Sequence, residues 1–198
     1  WEDDDGTIVI WTPFCEDLDL DLDTEEINTF SMMEFRLDPT AGTVVDRQII
    51  DRDMNVEFSA VSAMGRKVRY GYTAIQCKDT PGEGSFAGFC VWDMVERKMH
   101  KAIYYQEGEV GGEPIILKDD ADEKEYVGVY TFHLLEEQTY FLLFDGESGG
   151  LVTRLKMPYR VPFGFHGLWV TEEELRGHYS FHGKEGDAME ADKRFPYL

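Results

Sequence analysis

Apolar and polar positions alternate in short runs along most of this chain, and the runs come in pairs separated by turn residues. Thr7-Ile8-Val9-Ile10-Trp11-Thr12 reads as a first strand that Pro13 ends, since proline lacks the N–H a ladder needs. Met32 to Leu37 reads as a strand, Asp38-Pro39-Thr40-Ala41-Gly42 as a turn, and Thr43 to Ile50 as the returning strand. The same order recurs. Phe86 to Asp93 leads through a charged turn at Glu96-Arg97-Lys98 into Met99 to Tyr105. Tyr126 to Phe132 turns near Glu136-Glu137 into Thr139 to Phe144, and Asp145 to Gly150 is the turn before Leu151 to Met157. Val68 to Ala74, Pro114 to Leu117 and Phe163 to Val170 complete the set of strands. One helix start stands out: Thr171 can cap, and Glu172-Glu173-Glu174 favours the N-terminal dipole.

This pattern predicts an all-β fold with a short C-terminal helix. Strand pairs joined by short turns suggest propeller blades, with a sandwich as the alternative. Asp17 to Asp23 alternates Asp and Leu without β-branched residues, which favours an acidic loop over an edge strand. Asp17, Asp19 and Asp21 have a spacing that could hold calcium, but the glycine and closing bidentate Glu of an EF-hand loop are absent. Arg176 to Leu198 has charge and glycine but no apolar period, and reads as an extended or flexible tail.

The length fits one domain or a piece of a larger one. With 40 acidic against 19 basic residues the formal charge is −21, which argues against nucleic acid and against electrostatic attachment to anionic lipid. Cys15, Cys77 and Cys90 form no CxxC pair, and reduced thiols in an intracellular compartment are the simplest reading. No apolar run is long enough to span a bilayer. The chain opens on Trp1 rather than Met, so a targeting segment upstream would not be seen.

Candidate chemistry concentrates in Met157-Pro158-Tyr159-Arg160-Val161-Pro162-Phe163-Gly164-Phe165-His166-Gly167-Leu168-Trp169-Val170. The prolines favour extended backbone, and the glycines around Phe165-His166 permit a bend or a close approach. An imidazole among Phe163, Phe165, Leu168 and Trp169 is expected to be shielded from water, as suits a metal ligand, although a core histidine bonded to a carbonyl is the more ordinary outcome. His100, His133, His178 and His182 are not expected to bind metal. The last two form an HxxxH pair, but flanking glycines weaken the helix it would need.

This stretch resembles the C-terminal signature of the carotenoid cleavage oxygenases, the family that includes carotenoid and epoxycarotenoid dioxygenases, retinal pigment epithelium isomerase and lignostilbene dioxygenases. Three further segments match in order: WEDDDGTIVI, NVEFSAVSAMGRKVRYGY and VGGEPIIL. The similarity runs from Trp1 to about Leu175 and is weakest over Asp17–Phe30 and the tail. It implies residues 1–175 as the C-terminal blades of a seven-bladed β-propeller, an incomplete domain, with 176–198 as a charged tail. It also implies a non-haem Fe2+ dioxygenase that cleaves a conjugated C=C bond of an apolar polyene, a carotenoid or apocarotenoid, with O2. Within the family, a stilbene-cleaving oxygenase or a retinoid isomerase are the alternatives; outside enzymes, a non-catalytic propeller binding module.

On the same resemblance His166 is an iron ligand, and Glu57 and Glu113 accept hydrogen bonds from ligand histidines. Phe163, Phe165 and Trp169 then suit walls of a substrate tunnel, a place that core packing would explain equally well. Ser59 stands where the family often has proline. The family's other ligand histidines lie before the position of Trp1, so the resemblance implies a fragment that is inactive alone. Any peripheral membrane association would fall to that upstream part, and no partner protein is implied.

Overall fold

The computed structural model describes residues 1–18, 28–77, 85–118, 124–162, 166–173 and 175–176. β1 (Ile8–Phe14), β2 (Ser31–Asp38) and β3 (Thr43–Asp51) form an antiparallel sheet in that order. β4 (Val56–Ala60), β5 (Tyr70–Gln76), β6 (Phe86–Asp93) and β7 (Lys98–Tyr104) form a second meander. In the third, β8 (Glu109–Gly111) and β9 (Ile115–Lys118) both pair with β10 (Glu125–His133), which leads to β11 (Gln138–Asp145) and β12 (Leu151–Lys156). A single bridge between Phe86 and Gly111 stitches the second meander to the third. The all-β class stands, and each meander has the form of a propeller blade.

One turn chemistry closes four hairpins. Oδ1 of Asp38, Asp93 and Asp145 accepts the backbone N–H three residues on, from Ala41, Glu96 and Ser148, at 2.7–2.9 Å. His133 takes the same place with Nδ1, accepting from Glu136 N–H at 3.2 Å. The residue after each donor is left-handed: Gly42 (φ 66°), Arg97 (φ 55°), Glu137 (φ 50°) and Gly149 (φ 64°). The side-chain acceptor satisfies a turn amide, and the left-handed residue brings the chain back into register.

Burial follows from stacking. β6, read Phe-Ala-Gly-Phe-Cys-Val-Trp-Asp, is buried at nearly every position because both of its faces are covered. Tyr70, Tyr72, Phe89 and Val91 pack against Val127, Val129, Leu142 and Phe144 of the third sheet. Val56, Ile75, Cys90 and Trp92, from the other face, pack against Val9, Trp11 and Met32 of the first. Two of the buried carboxylates, Glu34 and Glu109, are paired with arginines within these layers. Glu34, 2% exposed, accepts from Trp11 Nε1 at 2.7 Å and pairs with Arg97 at 2.7 Å. Glu109 pairs with Arg154 at 2.7 Å and accepts from the Thr131 hydroxyl at 3.2 Å.

Several elements differ from the pattern-based expectation. Pro13 lies inside β1, opposite Met32, rather than ending it; β1 is an edge strand, where a missing N–H leaves no ladder bond unmade. Of the expected strand Phe163–Val170, residues 166–170 are irregular, and 163–165 lie outside the described residues. β5 begins at Tyr70, and β4 and β8 were not anticipated as strands. Among the described residues the helix covers one turn, with Leu175 N–H bonded to Thr171 C=O at 3.0 Å. Of the Asp17–Asp23 loop only Asp17 and Leu18 are described; Asp19, Asp21 and the tail from residue 177 lie outside the described residues. Two compact units are present, Trp1–Gly167 and Leu168–Leu198. Among the described residues no helix is long and apolar enough to cross a membrane.

Candidate metal-ligating site

Glu113 is set by its neighbours on both sides. Upstream, Gly111 pairs with Thr131 and Phe86, and the Tyr105 ring occupies the space a Cβ there would need. Gly112 N–H bonds to Tyr130 C=O at 3.1 Å, and Pro114 holds the chain extended into β9. This places a carboxylate whose side chain is 15% exposed beside the segment after β12. Its Oε2 accepts the Gly167 N–H at 2.8 Å. Gly167 has no spare room, because a Cβ there would come within 2.7 Å of Ile115 Cδ1.

The anchor at Gly167 brings the preceding residue against the same carboxylate. His166 Nδ1 lies 3.5 Å from Oε1 and 3.4 Å from Oε2 of Glu113, a loose and nearly symmetric approach. The Phe58 ring stands edge-on to the imidazole, with centroids 5.4 Å apart and planes at 85°. Phe58 rests in turn on Phe86 at 5.3 Å. Glu113, Ile115, Tyr130, Phe132, Val161 and His166 line a cavity of about 210 Å³. A larger hollow of about 400 Å³, bordered by Phe14, Cys15, Met33 and Arg52, carries no histidine.

Phe58 was not singled out from the sequence. The ladder runs Glu57 to Ala74 and then Ala60 to Tyr72, so Phe58 and Ser59 together oppose a single β5 residue. This bulge puts Phe58 in the left-handed region, φ 50°, and re-aims its ring. The signal available in the sequence was the interruption of a two-residue period within Val-Glu-Phe-Ser-Ala.

Glu57 is placed differently from Glu113. Its Oε1 accepts from Gln76 Nε2 at 2.7 Å, and among the described residues no bond joins it to His166. Burial pushes its carboxyl above the ordinary value, and the Gln76 bond opposes that rise. The expected dry setting for the imidazole is corrected: the His166 side chain is 76% exposed and Leu168 is 82% exposed. Apolar neighbours along an irregular segment do not fold over one another as they would on a strand. Trp169, 50% exposed, belongs to the second compact unit, and Phe163 and Phe165 lie outside the described residues.

The other histidines lie elsewhere. His100 is exposed against Tyr70, His133 is in the turn described above, and His178 and His182 lie outside the described residues. Among the described residues no three His, Cys, Asp or Glu side chains are arranged to hold a metal ion. Glu113 faces Nδ1 of His166, an arrangement that would leave Nε2 able to serve as one ligand of a metal.

Residues 1–171 match the family described as retinal pigment epithelial membrane protein. The chain belongs to the carotenoid cleavage oxygenase family. Carotenoid cleavage oxygenases similar to it include a probable carotenoid cleavage dioxygenase 4, chloroplastic, of Arabidopsis thaliana. That protein is 28% identical, over 88% of this chain and 31% of its own length. Another is the zeaxanthin 7,8(7',8')-cleavage dioxygenase, chromoplastic, of Crocus sativus, 28% identical over 88% of this chain and 50% of its own. The chain thus spans a third to a half of these relatives. Its fold matches cobalt-substituted Synechocystis apocarotenoid oxygenase with a TM-score of 0.70 at 19% identity, over 85% of this chain and 38% of that one. It matches Pseudomonas brassicacearum lignostilbene dioxygenase with a TM-score of 0.70 at 20% identity, over 85% and 40%. Membership of this family carries the resemblance read from the sequence motifs.

Proposed function

We propose that this chain forms the C-terminal blades of a non-haem iron(II) dioxygenase that cleaves a conjugated C=C bond of a carotenoid or apocarotenoid with O2, giving two carbonyl products. The observation that carries the reading is the joined pair of His166 and Glu113, anchored by the Gly167 amide. Glu113 holds the proton at Nδ1, which fixes the tautomer and leaves the Nε2 lone pair for iron. Iron(II), when bound, supplies the activation of dioxygen. Phe58 limits the tilt of the ring from the side. Glu57 is assigned the same supporting role toward a ligand histidine from outside this chain. Phe163, Phe165 and Trp169 are assigned to the path of an apolar polyene.

One imidazole does not hold iron by itself, so the chain alone is inactive and residues 1–175 act as part of a larger propeller, with 176–198 as an appendage. The plant relatives are described as chloroplastic or chromoplastic, which supports a plastid or other intracellular setting.

His166→Ala in the complete polypeptide is the test. Because the side chain is mostly exposed, its loss should change stability by about 0.5 kcal/mol or less. Iron content and cleavage of an apocarotenoid should both disappear. A variant with normal iron and normal cleavage refutes the assignment. Equal losses of melting temperature and activity would instead make His166 a structural residue.

A further inference from the structure

The orientation of Glu57 is decided by a chain of amides that begins at the backbone. Phe30 N–H can only donate, and it meets Asn55 Oδ1 at 2.8 Å. Asn28 C=O can only accept, and it meets Asn55 Nδ2 at 3.2 Å. The two backbone groups therefore settle which end of the Asn55 amide is oxygen and which is nitrogen. Asn55 is 8% exposed and is held further by its own carbonyl, which accepts from Gln76 N–H at 3.0 Å. With its nitrogen so directed, Asn55 Nδ2 donates to Gln76 Oε1 at 2.5 Å. Gln76 must then turn its own NH2 outward, and Nε2 donates to Glu57 Oε1 at 2.7 Å. Every member of the relay has one consistent direction, so a flip of either amide would set donor against donor or acceptor against acceptor.

We infer that Gln76 and Asn55 are positioning residues for Glu57: they fix its Oε1 as an acceptor and leave Oε2 to receive an imidazole N–H. The inference rests on the reading that Glu57 supports a ligand histidine. The relay supplies what that role needs. A carboxylate beside a bulge has free χ rotation unless one oxygen is pinned, and a pinned oxygen sets the direction of the other. The anchor lies in the segment just before β2, so the first sheet and the second jointly determine where Oε2 points.

The test uses the complete polypeptide with iron(II), reading affinity by competition with a chelator and, separately, melting temperature. Gln76→Met keeps the volume and removes the donor. Asn55→Asp keeps the acceptor for Phe30 N–H but presents an oxygen to Gln76, which reverses that amide and turns its Oε1 on Glu57. Each should weaken iron affinity on the order of tenfold, as outer-shell changes commonly do. Neither should add to the loss in a Glu57→Gln background, because both act through that carboxylate. Should Gln76→Met fail to fold, Asn55→Asp carries the comparison. Unchanged affinity in the relay variants, beside a clear loss in Glu57→Gln, overturns the relay and spares the role of Glu57. Losses that add fully to that of Glu57→Gln also overturn it. Unchanged affinity in Glu57→Gln itself overturns both readings.

Discussion

Arg97 reaches from the β6–β7 turn into the first sheet, where its guanidinium meets Glu34 at 2.7 Å and Gln48 Oε1 at 2.8 Å. Arg97→Ala strands a carboxylate that is 2% exposed. Removing one partner of a fully buried pair costs about 3–5 kcal/mol. Here the loss is smaller, because Glu34 keeps Trp11 Nε1 at 2.7 Å and Arg36 at 3.5 Å, and because the Arg97 side chain is itself 39% exposed. A loss of about 2–3 kcal/mol is expected. At about 2–4 °C per kcal/mol for a chain of this size, melting should fall by about 4–12 °C.

The backbone supplies an internal control. Arg97 is left-handed at φ 55°, a conformation that strains any side chain but not glycine. Arg97→Gly removes the same ion pair yet relieves about 1 kcal/mol of strain, so it should melt above Arg97→Ala. Thermal unfolding followed by near-ultraviolet circular dichroism reads both variants. An Ala variant within about 1 °C of the parent, or a Gly variant melting below the Ala variant, would refute this account.

Gly88→Ala should destabilise by at least about 2–3 kcal/mol in urea titration, because its Cβ would overlap the Ile103 carbonyl oxygen, with the carbonyl carbon 2.9 Å away; Gly112→Ala, whose nearest neighbour is at 4.0 Å, should be tolerated. Native protein should show two thiols that react readily with a disulfide reagent, Cys15 and Cys77, while Cys90, buried and with its thiol pushed up to about 12 by burial, reacts only on unfolding. The Asp3 carboxyl is lowered from 3.8 to about 2, first by the Trp1 indole N–H and then by Arg36 and Lys67. A depressed acid stabilises the fold above its unfolded value and loses that contribution as pH falls through the folded one. The melting difference between the parent and Asp3→Asn should therefore be full near pH 6 and shrink from pH 4 toward pH 2, and a constant difference over that range would refute it.

The hairpins were legible where the turn residues carry backbone information. Pro39 with Gly42, and Gly146 with Gly149-Gly150, announce their turns directly. At Arg97 and Glu137 the left-handed residue is not glycine: the charged residues marked both turns, but nothing local showed that Asp93 and His133 would accept the amides that close them. β4 escaped notice because its bulge at Phe58-Ser59 breaks the two-residue period after too few residues to count. Pro13 misled because the rule against proline in strands depends on which edge the strand occupies, and that is fixed by partners far away in sequence.

The two glutamates show how far local sequence can carry a site. Glu113 and Glu57 both sit in apolar stretches, and the motif resemblance alone gives them equal standing. The structure separates them by what completes each one. Glu113 is satisfied within the chain, by the Gly167 amide and the facing imidazole. Glu57 is half-buried, raised by desolvation, and bonded through only one oxygen among the described residues. A carboxylate in that state gains from any donor brought to its second oxygen, since a hydrogen bond to the charged form offsets the cost of burial. Under the role proposed for Glu57, its charge and a histidine N–H on its second oxygen would favour each other. That coupling depends on contacts long-range in sequence, the relay from Phe30 and Asn28 through Asn55 and Gln76, and no window around Val-Glu-Phe could have revealed it.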